Sequence, residues 1–216
     1  MTLITLAGVA ETKGKRTRQA LLSSAIRRFA QDGYKRVTLS DIAREVGISP
    51  AAVYAYFPGK EALFTAAVDA DAAGLIDLAM SEVLRGGFVK DWSQLIRLLI
   101  DAMPDHPLAR RVLAGLEPES TARLFSIPAL TQLRQTLGQL LADEQRAGAI
   151  RSDIDPLLIA DGLESIVLSL LIANLQTGGQ TDPDRTRGVV AVLEATLHVP
   201  VARRRRSAPP TAASST

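Results

Sequence analysis

Apolar residues in this chain recur at steps of three and four nearly from end to end, and no run of strand length alternates apolar with polar residues between hairpin turn residues. That pattern specifies helices and predicts an all-α fold. Three helix starts share one device: Ser49-Pro50, Asp155-Pro156 and Asp182-Pro183 each set a capping side chain before a proline at the first helical position. Gly86-Gly87, the 104–107 stretch, Gly148 and Gly178-Gly179 read as breaks. The spacing predicts helices over 15–32, 39–46, 50–57, 60–84, 91–103, 106–114, 128–147, 156–177 and 183–198, with a turn near 118–125.

With 216 residues, 47% of them hydrophobic and 22% charged, the chain can bury a sizeable core. Its net charge of +2 hides a strong polarity. Residues 1–63 hold ten Lys and Arg against five Asp and Glu, residues 64–202 hold eleven against eighteen, and Arg203 to Arg206 add four positive charges. A basic head on an acidic body points to a polyanionic partner for the head. The absence of cysteine rules out a disulfide framework, a thiolate zinc site and a cysteine nucleophile, and suits a cytoplasmic protein. Lys13, Lys15 and Arg16 follow the first apolar residues, the reverse of a secretory signal, so no export signal is expected. Asp161 and Glu164 would be costly in hydrocarbon, so the apolar 156–176 segment reads as a buried interface helix and no membrane partner is expected.

The most informative stretch lies between residues 16 and 64. Leu21, Leu22, Ala25, Ile26 and Phe29 share one face of a first helix, which Gly33 ends. Thr38 and Asp41 have capping-box spacing, and Val37 with Ile42 that of a hydrophobic staple. Gly47 can take the left-handed conformation that stops the short second helix, Ile48 can anchor the turn, and Ser49-Pro50 restarts the chain. Two short helices joined by Gly47-Ile48-Ser49 match a helix-turn-helix. The small residues Ala51 and Ala52 let the second helix approach base edges; Val53 and Phe57 face the core. Tyr54 and Tyr56 can offer hydroxyls to phosphates, and Lys60 stands at the start of the next helix, where charge and free N–H groups favour an anion. Lys13, Lys15, Arg16 and Arg18 read either as an arm that follows DNA or as a solvated leader.

Over Thr38-Leu39-Ser40-Asp41-Ile42-Ala43, Gly47-Ile48-Ser49 and Val53-Tyr54-Ala55-Tyr56-Phe57-Pro58-Gly59-Lys60-Glu61-Ala62-Leu63, the sequence resembles the tetracycline-repressor (TetR) family of bacterial regulators. Gly59 stands where the family often has a serine cap. The resemblance implies that Thr38, Tyr54, Tyr56 and Lys60 grip phosphates and that Ser40, Ser49, Pro50, Ala51 and Ala52 lie at or near bases. It implies a helix-turn-helix domain over 15–60, preceded by a flexible arm over 1–14, then a ligand-binding and dimerisation domain over 61–200. The basic 201–216 segment has the composition of a disordered tail.

In the body, Gly162, Ser165, Ser169 and Ala173 form a stripe of small residues that permits close helix approach. The resemblance implies that the last two helices, with Val189 and Leu193 on the second, build a four-helix bundle in a homodimer. Met80, Phe88, Trp92, Leu95, Leu99, Met103, Leu116 and Phe125 are candidate pocket walls or core residues.

Enzymatic readings are weaker. Asp101, Asp105 and His106 could hold a metal on a continuous helix, but Pro104 interrupts it; Asp161 with Glu164 lacks an argued catalytic geometry; Asp182-Pro183-Asp184 lacks the rest of a calcium loop. The sequence therefore predicts no catalytic residue, metal or cofactor. It predicts a regulator of a palindromic double-stranded operator, acting as a repressor released by a small apolar or amphipathic effector. The alternative is a regulator whose body serves only dimerisation or protein contacts.

Overall fold

A computed structural model describes residues 13–85, 92–118, 127–179 and 183–197, and these described residues form nine α-helices. In chain order they are α1 (Lys13–Arg36), α2 (Leu39–Val46), α3 (Pro50–Val53), α4 (Lys60–Arg85), α5 (Trp92–Ala102), α6 (Pro107–Leu113), α7 (Pro128–Arg146), α8 (Pro156–Gln176) and α9 (Pro183–Leu197), with a 3-10 turn over Met103–Asp105. The fold is all-α, with no strand among the described residues.

Two of the proline starts are capped as their sequence requires. Ser49 Oγ accepts the Ala52 N–H at 3.2 Å, and Asp155 Oδ1 accepts the N–H groups of Leu157 and Leu158 at 2.9 and 3.1 Å. The third helix of this kind begins at Pro183, while Asp182 lies outside the described residues. The turn expected near 118–125 falls largely on residues 119–126, also outside them.

Two expectations need correction. Helix α1 begins at Lys13, earlier than the expected residue 15, so Lys13, Lys15, Arg16 and Arg18 stand on its first turns. Nor does α3 run to residue 57: it ends at Val53, and Ala55 and Tyr56 bond three residues back to Ala52 and Val53 at 3.3 and 2.9 Å. Pro58 disfavours helical backbone at Phe57, so the chain tightens before it.

A continuous core runs from Leu21 on α1 to Leu197 on α9. The helix-turn-helix shares it through Phe29, Ile42, Val53 and Leu63, each withdrawn from solvent, and burial of such a side chain stabilises by about 1.5–3 kcal/mol. The rings of Phe29 and Phe64 meet edge to face at 5.0 Å, and Tyr34 meets Phe64 at 4.9 Å, which fixes the start of α4 against the end of α1. Helix α4 then continues into the body, where it packs on α5, α6 and α7.

At Gly33 (φ 79°, ψ 162°) α1 breaks, as its glycine predicts. The break turns the Tyr34 N–H out of the helix, and Glu117 Oε1 accepts it at 3.1 Å while also accepting Arg111 Nε at 2.8 Å. The end of α1 is thereby tied to the segment that follows α6.

Candidate nucleic-acid interface and body cavity

Local capping sets the helix-turn-helix. Thr38 Oγ1 accepts the Asp41 N–H at 3.2 Å, and Asp41 Oδ2 accepts the Thr38 N–H at 3.2 Å, which completes the capping box. The Thr38 hydroxyl also donates to Asp41 Oδ2 at 2.5 Å. These bonds from the Thr38 hydroxyl and backbone hold the Asp41 carboxyl below its ordinary pKa. A phosphate at Thr38 would have to draw that hydroxyl away from Asp41.

At the other end of α2, Gly47 is left-handed (φ 77°, ψ 31°). Its N–H bonds Arg44 O at 3.2 Å and the Ile48 N–H bonds Ala43 O at 3.0 Å, the paired pattern of a Schellman stop. Ile48 packs against the core, and Ser49 opens α3 at once.

The residues singled out from the sequence differ in exposure. Ser40, Ser49, Pro50 and Ala51 are exposed, Ala52 is half-buried, Tyr54 is 59% exposed and Tyr56 is half-buried against the core. Lys60 places its ammonium 4.5 Å from the centre of the Tyr34 ring and 3.4 Å from Lys35 O, so its position is set by α1. Arg18 lies over the Phe57 ring at 5.0 Å.

Sequence reasoning missed the ion pairs that brace this unit. Glu45 on α2 accepts Arg27 Nη2 at 2.5 Å and Arg28 Nε at 2.8 Å, both from α1. Those two bonds lower the Glu45 carboxyl to about 2. The register that brings Arg27 and Arg28 to Glu45 is not written in either helix.

The body forms a partly open apolar cavity of about 120 Å3 between α4, α5, α6, α7 and α8. Trp92, Leu95 and Leu99 line it, with Leu75, Ile76, Leu133 and Val167 among the others. Of the remaining sequence candidates, Met103 is buried away from the lining, Met80 is half-buried outside it, and Phe88 and Phe125 lie outside the described residues. Leu116 requires correction: it is 58% exposed and borders a separate polar cleft with Arg111 and Glu117.

Glu164 reaches the cavity wall and pairs with Arg134 on α7, from Nε to Oε2 and from Nη2 to Oε1, both at 3.1 Å. Arg134 Nε also lies 2.7 Å from Asp161 Oδ1. The Glu164 hydrogen bond, followed by the charges of Glu164 and Asp161, raises the Arg134 pKa above its ordinary value against the opposing effect of burial. Asp161 and Glu164 thus turn to one guanidinium, and no group of three His, Cys, Asp or Glu comes together among the described residues.

On the far side of α8, Gly162 and Ser165 are exposed, Ser169 is exposed and Ala173 half-buried; Ser165, Ser169, Ala173 and Val189 border a groove with α9. Leu193 does not belong to that face. It is fully buried within the single chain, where α9 packs on α5 and α8, whereas its neighbour Val192 is 56% exposed. Helix α8 is the one described helix long and apolar enough to cross a membrane, with mean hydropathy 1.9 and a third of that stretch buried.

Residues 21–67 match the family described as bacterial regulatory proteins, tetR family. The helix-turn-helix-type regulator YdgC of Bacillus subtilis is 25% identical over 78% of this chain and 86% of its own length. The repressor AcnR of Corynebacterium diphtheriae is 29% identical over 81% and 88%. The regulator RutR of Escherichia coli is 32% identical over 49% of this chain, a match that spans 52% of RutR. In fold, a TetR-family regulator from Mesorhizobium loti superposes with a TM-score of 0.63 at 20% identity, over 86% of this chain and 97% of the other. The Thermus thermophilus repressor FadR, solved with lauroyl-CoA, superposes at 0.60 and 20% identity over the same shares. The segment over residues 21–67 is thus that of the tetR family, helix-turn-helix-type regulators match along most of the chain, and the helical body behind it has the fold of the TetR-family structures.

Proposed function

We propose that this regulator acts in the cytoplasm as a homodimeric repressor of an approximately palindromic operator and is released by a small molecule bound in its body. Residues 15–60 would carry DNA contact and 61–200 sensing and dimerisation. Ser40, Ser49, Pro50, Ala51 and Ala52 would lie at the bases, with Thr38, Tyr54, Tyr56 and Lys60 on phosphates; the exposure of Thr38, Ser40, Ser49, Pro50, Ala51 and Tyr54 supports their availability to DNA. An α8 left two-thirds unburied, with its small residues outward, supports a second subunit against α8 and α9, and two related recognition helices would then read two related half-sites.

One observation carries the sensing role: α4 begins under Lys60 at the DNA-facing end and, farther along its length, supplies Ala72, Leu75, Ile76 and Ala79 to the cavity wall. A ligand that repositions this helix would move the recognition unit, provided it binds the DNA-incompetent arrangement more tightly; DNA must then weaken the ligand by the same factor. Thermus FadR, a repressor of this fold solved in complex with lauroyl-CoA, supports a small-molecule ligand for this chain. Ligand affinity measured with and without operator tests the reading, and a difference of about five- to 150-fold is expected. Equal affinities would refute it.

A second reading, in which the body only dimerises, is favoured by size alone: 120 Å3 is below the roughly 300–1,000 Å3 of ordinary ligand pockets. A body that binds no small molecule with or without operator would favour that reading.

A further inference from the structure

The cavity wall is apolar, and among its lining residues Glu164 alone carries a charge, with its carboxylate turned from the cavity toward Arg134. Glu164 lines it with a side chain only 6% exposed, and the ion cluster behind it contains two carboxylates, Glu164 and Asp161, against the single guanidinium of Arg134. With all three ionised the cluster carries one net negative charge.

An anionic head group entering here would meet a guanidinium already shared between two acids and would raise the local charge to minus two. A cationic head group would bring the cluster to neutrality. Asp161 makes the exchange feasible: it lies 2.7 Å from Arg134 Nε, so Arg134 keeps an acidic partner when Glu164 turns toward a cation. Because Glu164 is buried, its charge acts with less screening than a surface carboxylate's. The size of the cavity limits the apolar part of the ligand. An engineered apolar cavity of about 150 Å3 in another protein stays dry and takes benzene.

Resting on the proposed sensor role of this cavity, we infer that its effector is a small hydrophobic cation, with an apolar portion of about a single ring held among Leu75, Leu95, Leu99 and Val167 and a charged end received by Glu164 once its carboxylate turns from Arg134. Selection is by the sign of the charge. Carboxylate amphiphiles of the same apolar size are rejected.

Three probes of matched shape separate the possibilities: benzylammonium, benzyl alcohol and benzoate, titrated calorimetrically into the full chain at fixed ionic strength. The cation is expected to bind about tenfold more tightly than the alcohol, a difference of about 1.4 kcal/mol, and benzoate more weakly than either. In Glu164→Gln the cation should lose that advantage while the alcohol keeps its affinity within about twofold. The ranking in the unsubstituted protein needs no variant, so the inference stays testable if Glu164→Gln folds poorly. Equal binding of cation and alcohol, benzoate as the tightest of the three, or no binding by any of them overturns the inference. Operator affinity is read in parallel. Should benzylammonium bind in the expected order without weakening the operator, charge selection survives and the sensor mechanism falls. If benzyl alcohol releases the operator as well as the cation does, the sensor mechanism survives and charge selection falls.

Discussion

The carboxylate of Asp71, buried in the middle of α4, accepts the backbone N–H of Leu108 at 2.8 Å and so caps α6 from another helix. The same oxygen accepts the Ala109 N–H at 2.8 Å, and the other lies 3.4 Å from His106 Nδ1. His106 has no capping side-chain bond of its own, so Asp71 takes the place of a local cap. Asp71→Ala leaves two N–H groups buried without acceptors and is expected to cost about 2–4 kcal/mol. Asp71→Asn keeps an acceptor and should lose less. Urea unfolding of both variants checks the order; an alanine variant as stable as the parent would show that water or a rearranged α6 satisfies those groups.

Glu45 makes the helix-turn-helix sensitive to acid. Its carboxyl is lowered to about 2 because Arg27 and Arg28 bond the charged form. A carboxyl depressed in the folded state contributes stability that is present above its unfolded value and is lost as pH falls toward its folded one. That window runs from about 4.5 down to about 2. The arginines are largely exposed, so screening holds the contribution to about 1 kcal/mol. Glu45→Gln should therefore lower stability by about that amount at pH 7 and converge on the parent near pH 2, read by thermal or urea unfolding across pH. A constant difference between the two proteins at every pH would exclude the ion pairs as its origin.

Helix starts and stops were legible because they are local. Thr38 with Asp41, Gly47 with Ile48, and Ser49 with Pro50 each satisfy backbone groups within a few residues, and spacing alone reveals such devices. The shortened α3 was not legible from its apolar pattern, although Pro58 held the signal, since a proline constrains the residue before it.

Contacts between helices were mostly invisible. Arg134 and Glu164 are thirty residues apart, and nothing in either helix announces that they meet at a cavity wall. Leu193 shows the converse limit: a helix with apolar residues on more than one side does not declare which side turns inward, and α9 buries Leu193 against its own chain while exposing Val192. Lys60 was recognisable as a cation at a helix start, but its seat over Tyr34 depends on how α4 packs on α1.

The proposed roles at the DNA face separate by what each substitution changes. Lys60 and Tyr54 are assigned to phosphates, which carry no sequence information, and Ala51 and Ala52 to the neighbourhood of the bases. Lys60→Ala should weaken binding to operator and unrelated duplex by similar factors, and should lower the slope of log affinity against log salt by about one for each phosphate that a subunit no longer neutralises. It removes little from the core, because the lysine rests on the outer face of Tyr34 and its charged end bonds Lys35 O. Tyr54→Phe, at a side chain 59% exposed, should act in the same direction with a smaller change in slope, since a neutral hydroxyl releases no counterion of its own. A larger residue at Ala51, which is exposed on the first turn of α3, should instead change which sequence is preferred and leave the salt slope near that of the parent. Fluorescence anisotropy over a salt series, with operator and scrambled duplexes, measures slope and preference together. If Lys60→Ala shifted the preferred sequence at an unchanged slope, Lys60 would be reading a base, and the assignment of phosphate and base contacts along this face would have to be exchanged.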